Sequence, residues 1–258
     1  MKSFAWFESW LKGLTADEFN LYLILNPLSN ANLLSHAYFM GWVEKARPLY
    51  AQTAMESLTQ IGPWLLQPKP SSYVELAKWC SDKSDSSWGW AYTSLHTWQQ
   101  QLVHWQSLLR VIIDGELRVI RFQDPRVLNI WLEQGEPELW SQLLRPVAAL
   151  RLASGTEYIA PEVKLVESAR PWVMPLVLSD GWHHSDFGLK VKASNLEMLL
   201  WENYPACAEQ LYQEHGSVEQ PLYHWLQSQV EQGGVTRHLG LEQVIDWLTS
   251  PILKGSNV

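Results

Sequence analysis

The sequence predicts an α/β (α+β) N-terminal lobe, with a mixed sheet flanked by helices, followed by a small all-helical C-terminal lobe. Three observations predict it. Short apolar runs bounded by turn residues, such as Leu21–Leu25 before Asn26-Pro27, read as buried strands. Between such runs, apolar residues recur at three- and four-residue spacing, as at Leu95, Trp98, Leu102, Trp105 and Leu109, and read as helices. From Ser194 onward the strand-like runs stop and helical periodicity takes over. The expected organisation is an α/β domain over 1–152, a connecting segment over 153–193 and a helical lobe over 194–258.

The elements follow in order. Phe4, Phe7, Leu11 and Leu14 sit at helical spacing and predict an amphipathic helix over 3–13. Leu21–Leu25 predicts the first strand, and 30–40 a helix. An extended piece is expected from Pro48, then a short helix over 54–60 capped by Thr53 with Glu56 three residues on. Gly62-Pro63 breaks that helix, and Trp64–Leu66 reads as a strand. Val74–Trp79 is expected to be helical, Ser81–Ser87 a polar loop and Trp88–Tyr92 a strand. Thr93 or Ser94 is then expected to cap the helix through Trp98 and Trp105. Val111–Ile113 and Leu117–Phe122 flank Asp114-Gly115, the sequence of a two-residue hairpin turn that needs positive φ at both positions. Asp124 and Pro125 next supply an N-cap and a first helical residue. A further strand is expected at 147–152, and helices at roughly 195–202, 205–215, 218–231 and 240–249.

Composition narrows the function classes. A chain of 258 residues, 47% hydrophobic and 18% charged, buries a real core. Its net charge of −8 makes it a poor ligand for a phosphate backbone, so no nucleic-acid partner is expected. Cys80 and Cys207 form no disulfide framework or CxxC site and fit a reducing cytoplasm, the expected location. Glu8 interrupts the apolar N-terminal stretch, which therefore does not read as a secretory signal. No apolar run approaches the ~18 residues of a membrane span, so no membrane insertion is expected. The sixteen tryptophans stand out. Most must pack in the core, but a few exposed ones would suffice for a docking surface, because indole is enriched at interface hot spots.

Several segments recur in a family-like order: LYLIL (21–25), GPWLL (62–66), WGWAYTS (88–94), the helix with His104 and Arg110, RFQDPRVL (121–128) and LLRPV (143–147). Over about residues 18–152 the chain resembles the type VI secretion effector adaptor-chaperones, the Tap or TEC family that includes VasW-like members. The most specific element is an FR-x-x-DPR-type signature, here carried by Arg121, Phe122, Asp124, Pro125 and Arg126. The chain departs from the family pattern at Asn26, Gln123 and Arg145. The resemblance implies a non-enzymatic adaptor that binds the N-terminal region of a cognate type VI effector and loads it onto the VgrG spike. It implies no cofactor.

The residues themselves offer little chemistry. Asp124 between two arginines could be imagined as the base of a hydrolase or transferase. An N-cap carboxylate, however, spends its oxygens on backbone N–H groups and an arginine, and the structural role outweighs catalysis. His183, His184 and Asp186 form the one His/carboxylate cluster in the sequence, but adjacent histidines point apart and rarely share a metal. No phosphate loop and no nucleophile motif occurs. No catalytic, cofactor or metal residue is therefore expected. An immunity-like toxin-binding protein is the other alternative. Trp88 and Trp90, two apart on an expected strand and so on one face, are the candidate partner-binding residues.

Overall fold

Leu21–Leu25 is buried along its whole length because the strand that contains it, β1 (Asn20–Leu25), is covered on both faces. The computed structural model describes residues 19–30, 32–82, 87–134, 141–152, 157–159 and 171–250. The helix expected over 3–13 lies outside them. The chain divides into two units, 1–176 and 177–258.

In the first unit, β1 joins β2 (Val43–Pro48), β3 (Trp64–Pro68), β4 (Gly89–Ser94), β7 (Ala149–Arg151) and β8 (Glu157–Ile159). They form a six-stranded sheet in the order β2-β3-β1-β4-β7-β8. Every pairing is antiparallel, so the expected mixed sheet is corrected. The reason is topological. β3 and β4 do run in the same direction across the intervening helix, but β1 lies between them, so parallel strands are never neighbours.

Cross-strand register sorts side chains onto two faces. Leu23 lies opposite both Leu66 and Ala91, and Ile24 opposite both Leu65 and Trp90. The first face is mainly aliphatic, with Trp42 and Trp88 at its margin. Leu21, Leu23, Leu25, Leu66 and Ala91 pack with Leu33 and Ala37 of α1 (Leu33–Phe39) and with Leu76, Ala77 and Cys80 of α2 (Tyr73–Asp82). The second face carries Tyr22, Ile24, Trp90 and Tyr92, with the tyrosine rings 5.5 Å apart. Trp105, on α3 (Trp98–Ser107), packs edge-on to both Trp90 and Tyr92.

Local chemistry explains the boundaries. Thr97 caps α3, forming a reciprocal capping box with Gln100, while Thr93 and Ser94 remain in β4. The expected cap therefore moves, because the backbone groups of those two residues are committed to the sheet. Gly89 has φ +133, and a Cβ there would sit 2.0 Å from the Ile24 carbonyl oxygen. A Cβ on Gly62 would meet the Tyr50 ring at 2.3 Å. Pro48, expected to begin an extended piece, instead ends β2.

A hairpin of β5 (Arg110–Ile113) and β6 (Glu116–Val119) turns through Asp114 (φ 52) and Gly115 (φ 80), as its sequence requires. Its β5 edge bonds to 172–174: Ile112 N–H donates to the Trp172 carbonyl (2.8 Å), and Met174 N–H donates to the Ile112 carbonyl (2.9 Å).

The second unit is helical. From the C-terminal part of α5 (Leu176–His184) it continues through α6 (Asp186–Asn203), α7 (Pro205–His215), α8 (Glu219–Glu231) and α9 (Leu241–Thr249). Leu189, Ala193, Leu196 and Leu200 of α6 pack with Leu211 of α7, Leu222 and Leu226 of α8, and Val244 of α9. Trp225 stacks on Trp247 at 5.4 Å. The helical run begins well before Ser194. Ser185, rather than a residue near 194, caps α6 by accepting a bond from Gly188 N–H.

Candidate functional site

The segment Arg121–Arg126 links the hairpin to α4 (Pro125–Glu133), and its side chains divide between core and surface. The Phe122 ring is fully buried and stacks on Trp105 at 5.2 Å. Its carbonyl accepts a 2.8 Å bond from Trp90 Nε1. Asp124 N–H donates to the Arg121 carbonyl (3.0 Å), closing a tight turn. The Asp124 carboxylate then accepts three bonds. Arg126 N–H and Nε reach Oδ1 at 3.0 and 2.9 Å, and Arg126 Nη2 reaches Oδ2 at 2.7 Å. This is an N-cap and a bidentate ion pair built on one carboxylate. Pro125 fills the first helical position, where no N–H is needed, and Val127, Leu128, Ile130 and Trp131 bury the face of α4.

Both arginines were candidates to hold Asp124, and the structure selects Arg126. Arg121 is exposed, and its positive charge acts on the Tyr50 hydroxyl, partly countering the upward push of burial on that group's pKa. Asp124 is 3% exposed with its oxygens engaged, so it offers little to a substrate. Behind it, Trp105 Nε1 donates to Tyr92 Oη (2.7 Å), Tyr92 donates to Gln101 Oε1 (2.8 Å), and Gln101 Nε2 donates to Ser94 Oγ (2.6 Å). Burial raises the Tyr92 pKa well above its ordinary value despite the Trp105 donor. His104 joins the same layer, with Nε2 2.8 Å from the Leu143 carbonyl and its ring against Trp105.

The motif segments thus converge. LYLIL, GPWLL and WGWAYTS supply the three central strands β1, β3 and β4. LLRPV meets α3 through His104, and RFQDPRVL closes the aromatic face. At Asn26 the amide gains what a carboxylate would lose, because Nδ2 donates to the Ser87 carbonyl (3.0 Å) while Oδ1 accepts from Leu28 N–H (3.2 Å). Gln123 is 2% exposed, and its Oε1 has no partner among the described residues.

Trp88 and Trp90 are 3% and 1% exposed, so neither lies at the surface. Nor do they share a face. Trp88 precedes the strand and joins the aliphatic cluster, Trp90 faces α3, and the positive φ of Gly89 breaks the alternation between them. The exposed indole among the described residues is Trp201, 39% exposed on α6. Other surface apolar side chains were equally unmarked in sequence: Tyr38 (53%), Phe39 (86%) and Met40 (47%) at the end of α1. The one available signal was Gly41 directly after them, a helix-terminating residue with φ 69.

The remaining candidates, His183, His184 and Asp186, lie where α5 ends and α6 begins. His183 lies in the last turn of α5, its carbonyl accepting a bond from Thr236 Oγ1 (2.7 Å). Asp186 instead pairs with Lys190 Nζ (2.8 Å) and the Tyr223 hydroxyl (2.6 Å), and these bonds lower its pKa. Among the described residues no three His, Cys, Asp or Glu side chains gather as a metal site. Burial pushes the Cys80 thiol upward, away from the reactive thiolate. No helix among the described residues is long and apolar enough to cross a membrane.

Residues 21–142 match the model of the family described as "Domain of unknown function (DUF4123)". That family is associated with type VI secretion adaptors. No curated protein and no solved structure matches the chain.

Proposed function

We propose that this chain is a non-enzymatic adaptor-chaperone that binds a type VI secretion effector and delivers it to the VgrG spike. The observation that carries the reading is the family match over 21–142, which spans the central strands, the aromatic layer and the Arg121–Arg126 junction. The junction's chemistry supports a binding role, since its one carboxylate is spent on a cap and an ion pair. Apolar side chains held in solvent at the end of α1 supply anchors of the kind that dominate protein interfaces. In this reading the signature builds the scaffold, and contacts with cargo come from surface residues outside it.

The test is affinity purification of the tagged chain from its native host, with deletion of its gene in parallel. The expected result is co-purification of one effector and of VgrG, with delivery of that effector lost on deletion while other effectors still leave the cell. If neither an effector nor a spike component accompanies the chain and delivery is unchanged, the reading fails.

A further inference from the structure

The two sheets end in differently built edges. β2, at one end of the large sheet, is interrupted by a bulge between Val43 and Lys45 and closes on Pro48, which has no N–H. Bulges, lysines and prolines are among the features that stop a strand from recruiting another. β6 has no bulge, lysine or proline, although it is only four residues long and carries the charges of Glu116 and Arg118.

The hairpin register fixes which backbone groups of β6 are open. Ile112 directs its N–H and carbonyl to Trp172 and Met174, away from β6. Its cross-strand partner Leu117 must then direct its own N–H and carbonyl away from β5, because hydrogen-bonding direction alternates along an antiparallel ladder. Val119, two residues on, does the same. Among the described residues no backbone group bonds to either on that side. Their side chains are 52% and 48% exposed, and Leu117 continues a lateral row through Ile112 to Val173, itself 59% exposed. An open edge flanked by half-exposed apolar side chains fits an extended strand.

The charges on β6 choose the strand. Glu116 and Arg118 flank Leu117 and pair with each other within the chain, at 64% and 63% side-chain exposure. If two copies of β6 run antiparallel about a two-fold axis through Leu117, Leu117 faces Leu117 and exchanges two N–H···O=C bonds. Glu116 of each copy then faces Arg118 of the other. Sliding the register so that Leu117 faces Val119 places Arg118 opposite Arg118, and like charges directly opposite are unfavourable. We infer that β6 is a self-complementary edge through which two copies of this chain associate, joining their hairpins into one continuous sheet. The inference is independent of the adaptor reading.

The experiment is sedimentation velocity on the full chain across concentration, with three variants. An edge this short predicts a dissociation constant on the order of 100 µM, weaker than a standard-size interface gives. Glu116→Arg puts like charges opposite across the two-fold axis, and so does Arg118→Glu; each is expected to weaken the dimer about tenfold. Mixing these two variants restores opposite charges across the axis, and a mixed dimer is expected to return at wild-type strength. Leu117→Pro removes the central outward N–H without touching the β5 ladder, and is expected to stay monomeric with an unchanged circular dichroism spectrum. A wild-type chain that remains monomeric up to about 1 mM overturns the inference. So does a dimer unaffected by the single charge changes, or a mixture no more associated than its components.

Discussion

The two faces of the six-stranded sheet solve the same burial problem with different chemistry. On one, Leu21, Leu23, Leu25, Leu66 and Ala91 meet aliphatic residues of α1 and α2. On the other, Trp90, Tyr92, Trp105 and Phe122 meet ring to ring, and their N–H and O–H groups are linked to Gln101, Ser94 and the Phe122 carbonyl. An aliphatic face asks for volume and shape, and tolerates exchange between side chains of similar size. A buried polar network also asks that every donor find its acceptor, because an orphaned group pays its desolvation in full. The Arg121–Arg126 junction lies on the demanding face. This gives a physical reason for that segment to be so specific in sequence.

Substitutions on the two faces are expected to differ in cost. The largest effect is expected for Trp105→Ala, which removes the residue at the centre of the layer and should cost about 3–5 kcal/mol in urea unfolding. Tyr92→Phe keeps the ring and removes one oxygen. It strands Trp105 Nε1 and Gln101 Oε1 together, and is expected to cost about 1–3 kcal/mol, far more than a single exposed hydroxyl would. Asp124→Ala removes the cap and leaves Arg126 without its bidentate partner, at about 1–2 kcal/mol, while Asp124→Asn should retain part of the cap. The smallest effect is expected for Leu66→Met on the aliphatic face, under about 1.5 kcal/mol. If Leu66→Met proved as costly as Tyr92→Phe, the contrast between the faces would be wrong.

Alkaline titration sharpens the same contrast. Burial pushes the Tyr22 hydroxyl up to about 12 from its ordinary 10.0, and raises Tyr92 as well. Between those two values the unfolded chain has released protons that the folded chain still holds. Stability is therefore fully present below pH 10 and falls as pH climbs towards 12. Tyr22→Phe is expected to flatten that decline, measured as the shift in urea midpoint between pH 9 and pH 11.

Much of the local structure was legible. The Asp114-Gly115 turn, the Asp124-Pro125 helix start and the strand at Leu21–Leu25 all appear where the residues placed them, because each depends on backbone conformations that a few side chains decide. The cap of α3 was misplaced by a few residues. Thr93, Ser94 and Thr97 are all competent caps, and pairing of β4 with β1 withdrew the first two. Trp88 and Trp90 failed as a shared face for a similar reason. Alternation holds only along an unbroken strand, and the glycine between them turns one side chain into each layer.

The periods and turns, and an order of motif segments that resembles a known family, were therefore in the sequence alone. Those are properties of neighbouring residues. Tertiary structure decided the rest: that β1 sits between β3 and β4 and makes the sheet antiparallel, that Arg126 rather than Arg121 holds Asp124, and that Phe39 and Trp201 rather than Trp88 and Trp90 reach solvent. Burial depends on which distant segments cover a side chain, and nothing within a few residues of a tryptophan encodes that.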